Sequence, residues 1–129
     1  MEQLRNRIIG LAIQGLCCSQ IILSIGLERY GVTDNAAVKG AFGLCGGLHA
    51  GLACGTLTGA AVLVSTICGK TDTLRITREL AGWFTERFGS TGCSEILERN
   101  PGLQDERCLS LVEEALTRVL ELIDEARIS

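Results

Sequence analysis

The sequence predicts an all-α fold: a compact bundle of about five to six helices around a glycine-rich central segment. Long stretches rich in Leu, Ala, Glu and Arg repeat their apolar residues at helical spacing, and a single Pro leaves most of them unbroken. Sixteen Gly punctuate those stretches, which favours helices stopped by glycine over a β-sandwich. Hydrophobic residues make up 47% of the chain and aromatics only 4%, so the core must be built from Leu, Ile, Val, Ala and Cys. The 129 residues suit one domain, 1–129, and the composition excludes disorder.

Leu4, Ile8, Leu11 and Ala12 recur at helical spacing, with Gly15 as a left-handed stop. A second helix starts near Cys17 and carries Cys18, Ile21, Ile22 and Ile25 on one stripe until Tyr30-Gly31. Asp34 caps a short helix over Asn35 to Phe42. After the glycine-rich segment comes a buried helix from about Ala53 to Ile67. Its Gly55 and Gly59, four apart, let another backbone approach closely, and Cys68-Gly69 ends it. Asp72 is expected to cap an amphipathic helix with Leu74, Thr77, Ala81, Phe84 and Phe88 inward, closed by Gly89. A single turn over Ser94 to Arg99 and a turn at Asn100-Pro101-Gly102 follow. The last helix runs from Asp105, with Cys108, Val112, Ala115, Val119 and Ile123 on the face it shares with Leu111, Leu116 and Leu120.

Charge narrows the function classes. Twelve Lys and Arg against 15 Asp and Glu leave a net charge of −3, the wrong sign for a nucleic-acid binder. Between Lys39 and Lys70 lie thirty residues, Gly40 to Gly69, without one charged side chain. Length alone would permit a membrane span, but eight of the thirty are Gly, so a buried helix is the expectation. No strand-bounded G-x-G-x-x-G and no G-x-x-x-x-G-K-[ST] occurs, which removes the usual nucleotide loops. The carboxylates fall on solvated helix faces, as surface charge does.

Seven Cys is the outlying number. Met1 to Gly15 carries Glu2, Arg5, Arg7 and Gln14 and does not read as a secretory signal, so a reducing cytoplasm is the expected compartment. A chain of this length needs no disulfide staples there, and clustered thiols serve as ligands or redox groups. Cys18, Cys54, Cys93 and Cys108 all sit where a helix starts or a glycine loop approaches one. Helix N-termini present free N–H groups and partial positive charge, which lower a thiol pKa and favour a thiolate. Four such ends pointing inward would make a site; scattered, the same residues would be small buried hydrophobes.

Cys17, Cys45 and Cys68 are assigned structural or secondary roles. Cys17 points about 100° from Cys18 on a helix, and Cys68 lies ~21 Å along the axis from Cys54. Cys45 and His49 form C-x-x-x-H, a weak metal pattern, and a lone His in an apolar segment is more often a hydrogen-bonded ring than a ligand. No C-x-x-C occurs, which removes thioredoxin-type, zinc-ribbon and ordinary ferredoxin motifs.

With these residues in view, the chain resembles the C-GCAxxG-C-C family of redox-active proteins. Gly15-Leu16-Cys17-Cys18-Ser19-Gln20 matches the setting of the first family cysteine, with Cys18 in register. Gly43 to Gly47 and then Cys54-Gly55-Thr56-Leu57-Thr58-Gly59 match the glycine motif, Phe88-Gly89-Ser90-Thr91-Gly92-Cys93 the third cysteine, and Cys108 the fourth. Thr56 stands where the family usually has Ala. The related cysteine set is similar to the iron-sulfur part of split-Soret cytochromes, which implies a cluster; with no haem motif in this chain, only the cluster part transfers.

Three functions follow as expectations. In the first, Cys18, Cys54, Cys93 and Cys108 are four thiolate ligands of an iron-sulfur cluster for electron transfer or redox sensing, with Gly55 and Gly59 beside the cofactor and a redox partner of unknown identity. The second is metal-free thiol-disulfide chemistry among the same four. The third is a structural zinc site or a plain helical interaction domain, forming a homo-oligomer through Gly55 and Gly59.

Overall fold

A computed structural model describes residues 2–128; Met1 and Ser129 lie outside the described residues. Eight α-helices occur among them: α1 (Glu2–Ile13), α2 (Cys18–Arg29), α3 (Asn35–Gly40), α4 (Gly55–Ile67), α5 (Lys70–Phe88), α6 (Cys93–Arg99), α7 (Pro101–Asp105) and α8 (Leu109–Ile128). The all-α expectation holds, and the count exceeds five to six because α3, α6 and α7 are short helices of one or two turns. The only strand-like pairing among the described residues is an isolated antiparallel bridge between Ala53 and Gly92.

Local signals set most boundaries. Gly15 adopts φ 96° and stops α1. Cys17 is the N-cap of α2, and its N–H donates to the Gln20 side chain at 3.1 Å. Asp34 Oδ1 accepts from the Ala37 N–H at 2.9 Å, capping α3, which tightens into a 3₁₀ turn over Ala41–Leu44. Gly89, at φ 86°, closes α5.

Three expectations need correction. The cap of α5 is Gly69, and Asp72 lies inside the first turn, where its charge still complements the helix dipole. The inner stripe of α5 is Ile76, Leu80, Phe84 and Phe88, while Leu74 is 58% exposed. Leu74 and Ile76 are about 200° apart on a helix, and Ile76 is the one in step with Leu80 and Phe84 at i+4. The last helix begins at Leu109, not Asp105. Pro101 opens the separate α7, where its missing N–H costs nothing, and Arg107 and Cys108 adopt φ 55° and 62° to break the chain between the two helices.

The core is one contiguous cluster centred on α4, whose Ala60, Leu63 and Val64 are fully buried against α2, α5 and α8. Gly59 is what brings α2 so close: a Cβ there would stand 2.9 Å from Ser19 Cα and Ser19 O. Gly55 and Gly59 are therefore covered within the chain by α2 and the Leu44 carbonyl, so they do not offer the oligomer surface expected of them. The far end of α2 is tied to α8 by Asp124, which accepts from Arg29 at 2.5 Å and from the Tyr30 hydroxyl at 2.6 Å. Among the described residues no helix is long and apolar enough to cross a membrane.

Candidate functional site

Four helices begin at the same end of the bundle, and each brings a thiol. Cys18 is the first residue of α2, Cys54 is the N-cap of α4, Cys93 is the first residue of α6, and Cys108 directly precedes α8, with its carbonyl accepting the Val112 N–H at 2.9 Å. All four line one cavity of about 450 Å³. Its walls are largely apolar, formed by Ala12, Leu16, Ile21, Leu97 and Val112, and Thr56 and Gly55 complete the side towards α4.

Backbone geometry positions each sulfur. Cys54 and Cys93 are adjacent because the Cys54 N–H donates to Thr91 O at 2.8 Å and the Cys93 N–H donates to Leu52 O at 2.5 Å. Leu52 is held in turn by a left-handed turn: Gly46, Gly47, Leu48 and His49 all have positive φ, and the Leu52 N–H donates to Gly47 O at 3.0 Å. Gly55 leaves room for Cys18, since a Cβ at Gly55 would lie 2.8 Å from Cys18 Sγ. The Cys108 N–H donates to Leu103 O at 2.8 Å, so the end of α7 holds the fourth thiol.

The electrostatics run opposite to the helix-dipole expectation. Burial pushes the Cys54 thiol up, against the N–H groups of Leu57 and Thr56 that favour its thiolate, and the neighbouring Cys18 and Cys93 push it further. Burial raises Cys93 too, with Cys18 adding to it. Cys108 is pushed up to about 12, chiefly by burial and then by Cys54, Cys18, Cys93 and Glu106. In a largely apolar cavity desolvation outweighs the partial charge of a helix end, so these three thiols carry their protons at neutral pH. A cation entering the cavity would reverse that balance.

The remaining cysteines are placed apart. Cys17 and Cys45 are joined by a disulfide with Cα atoms 6.2 Å apart, a crosslink that overturns the expectation of a chain without staples. It ties the N-cap of α2 to the end of the 3₁₀ turn, and Ser19 Oγ lies 2.9 Å from Cys45 Sγ while donating to Ala41 O at 2.6 Å. Cys17 also reaches the cavity rim. Cys68 caps the opposite end of α4 and takes no part in the site. His49 Nε2 meets Phe42 O at 2.9 Å with its ring 4.8 Å from the Phe42 ring, so the C-x-x-x-H pattern does not form a ligand pair. Gly59 does not line the cavity.

Sequence reasoning missed the disulfide, the polar rim formed by Gln104 and Arg107, and the buried side chain of Thr56. Neither Arg107 nor Cys108 is a residue type that announces a left-handed backbone, so nothing in the sequence marked that break. Among the described residues, no three His, Cys, Asp or Glu side chains gather tightly enough to hold one metal ion.

Comparison with curated proteins and with solved structures gives no match. A family model does match, over residues 16–122, with the description "Putative redox-active protein (C_GCAxxG_C_C)". That span includes all four cavity cysteines and the glycine motif between them, and the chain belongs to this C_GCAxxG_C_C redox-active family.

Proposed function

We propose that Cys18, Cys54, Cys93 and Cys108 hold an iron-sulfur cluster used in electron transfer or redox sensing. The observation that carries this reading is that four thiols scattered from residue 18 to residue 108 line a single cavity. Thiolates are soft donors that select iron-sulfur or zinc over hard ions. A tetrahedral zinc site needs its four donors around one point, and no three are so gathered here; a two-iron cluster takes two thiolates on each metal and tolerates the wider spacing. A cluster would supply reversible one-electron chemistry. The chain supplies the rest: sulfur ligands, apolar walls that exclude water, and first-turn N–H groups of Thr56 and Leu57 that favour negative charge on Cys54.

Anaerobic reconstitution of the reduced chain with ferrous iron and sulfide tests the proposal. Sulfur-to-iron charge-transfer absorption is expected, and changing any of the four cysteines to Ser should diminish it. No visible absorption in the wild-type chain sinks the reading.

The Cys17–Cys45 disulfide supports a second reading, thiol-disulfide exchange. A Cβ at Gly55 would lie 2.8 Å from Cys18 Sγ and 3.2 Å from Cys45 Cα, so the free thiol and the disulfide are neighbours. The Cys18 thiolate would attack Cys45 Sγ, and Cys17 would leave as the thiolate. Peptide mapping after trapping at graded redox potentials should then find both Cys17–Cys45 and Cys18–Cys45 links. Finding only the first rules the exchange out.

A further inference from the structure

Thr56 is fully buried, and its Oγ1 has no hydrogen-bond partner among the described residues. Among the buried side-chain polar atoms of the described residues, Arg118 Nε is the other one without a partner. Thr58 donates to Cys54 O, Thr66 to Val62 O, Thr77 to Thr73 O, Thr85 to Ala81 O and Thr117 to Glu113 O, each satisfying its hydroxyl on the carbonyl four residues back. Thr56 is denied that solution. The residue four back is Leu52, which lies outside α4, and its carbonyl accepts from the Cys93 N–H. A buried hydroxyl left unpaired destabilises a fold, so its retention asks for a partner that only the functional state provides.

The cavity is where that partner would sit, because Thr56 lines it together with the four thiols. Gln104 and Arg107, the other polar lining side chains, belong to exposed residues at its rim, whereas Thr56 is fully enclosed. We infer that the Thr56 hydroxyl is a hydrogen-bond donor to a sulfur of the anionic, thiolate-held group that the cavity takes. The inference rests on the iron-sulfur reading above and adds a residue to it. An O–H donor favours the more negatively charged state of a sulfur-bound metal group, so Thr56 raises the reduction potential and slows loss of the metal.

Thr56→Val removes the hydroxyl at nearly constant shape, and Thr56→Ser keeps it. Apo protein and protein reconstituted anaerobically with ferrous iron and sulfide are compared for all three chains, by urea denaturation, redox titration and competition with an iron chelator. In the apo state Thr56→Val should be more stable than wild type, since it deletes an orphan group. Once reconstituted, it should show a lower midpoint potential and yield its iron at about tenfold less chelator. Thr56→Ser should track wild type in potential and chelator resistance. An apo Val variant less stable than wild type would show that the hydroxyl already has a partner in the protein, and an unchanged potential after normal loading would overturn the inference while leaving the cluster reading intact. A wild-type chain that takes up no iron overturns both.

Discussion

Ala53 and Gly92 pair across an isolated antiparallel bridge, and through that one pairing Cys54 and Cys93 come to share a wall of the cavity. The two N–H···O bonds that make it, Cys54 to Thr91 and Cys93 to Leu52, join the start of α4 to the start of α6. Two helices thus aim their cysteines at one space without a shared helix-helix seam.

The bridge depends on Gly47. At φ 63° a side chain is already strained, and a Cβ would collide with the backbone N, C and O of Leu52, none of which can swing aside. Gly47→Ala should destabilise the chain by at least about 2 kcal/mol in urea denaturation. It should also make Cys54 and Cys93 react faster with a thiol reagent, because the Leu52 carbonyl that holds Cys93 moves. Unchanged thiol rates would show that the left-handed turn does not set the position of Cys93.

The Cys17–Cys45 crosslink closes a loop with a sequence separation of 28 residues. In the chain-entropy model such a loop is worth about 3–4 kcal/mol. Cys45→Ala should lose stability of that order, and adding reductant should lower the urea midpoint of the wild-type chain but not that of the variant. Equal sensitivity of the two proteins to reductant would contradict the assignment.

Alkaline pH should weaken the apo protein. The thiols of Cys54, Cys93 and Cys108 are all raised above the ordinary 9.0, Cys108 to about 12. Above pH 9 the unfolded chain releases protons that the folded chain keeps, so the stability contributed below pH 9 is lost as the pH rises towards about 12. Tyr30, raised from 10 to about 12 chiefly by burial, adds a loss of the same sign. Urea midpoints measured from pH 7.5 to 11 should fall, and Cys108→Ser should flatten the profile; a variant profile parallel to wild type would refute the role given to Cys108.

Contact between α2 and α4 makes the fourth prediction. Filling Gly59 would drive a side chain into Ser19 Cα and O, each 2.9 Å from the nearest added carbon, and into Ile22 Cγ2 at the same distance. Gly59→Val should cost at least about 2 kcal/mol despite the gain in chain stiffness. Because the same contact positions the start of α2, cysteine reactivity at Cys18 should rise with it.

What the sequence revealed and what it hid divide along a physical line. Helical periodicity placed α8's buried face correctly through Val112, Ala115, Leu116, Val119 and Ile123, and glycine chemistry marked the ends at Gly15 and Gly89. That Cys18, Cys54 and Cys93 stand at helix starts was legible from flanking glycines and from the family pattern, whereas Cys108 was read inside the last helix and instead directly precedes α8. The upward pKa shift of Cys54, Cys93 and Cys108 was not legible, because it depends on how dry the space between the helices is, which no single segment encodes. The Cys17–Cys45 link was equally hidden, since it is set by how the 3₁₀ turn folds back onto the N-cap of α2. Leu74 shows the ambiguity of a short stripe: it lies on the far side of α5 from Ile76, and Ile76 is the one in step with Leu80 and Phe84.

The cavity draws its sulfurs from near the front, middle and rear of the polypeptide, with Cys108 arriving only after α7 has turned. On the cluster reading, donors so far apart in sequence would meet only once the helices had packed, unlike those of a zinc finger, which lie close in the chain. Loading would then follow collapse of the apolar helices, and any maturation machinery would meet a folded protein rather than a nascent one.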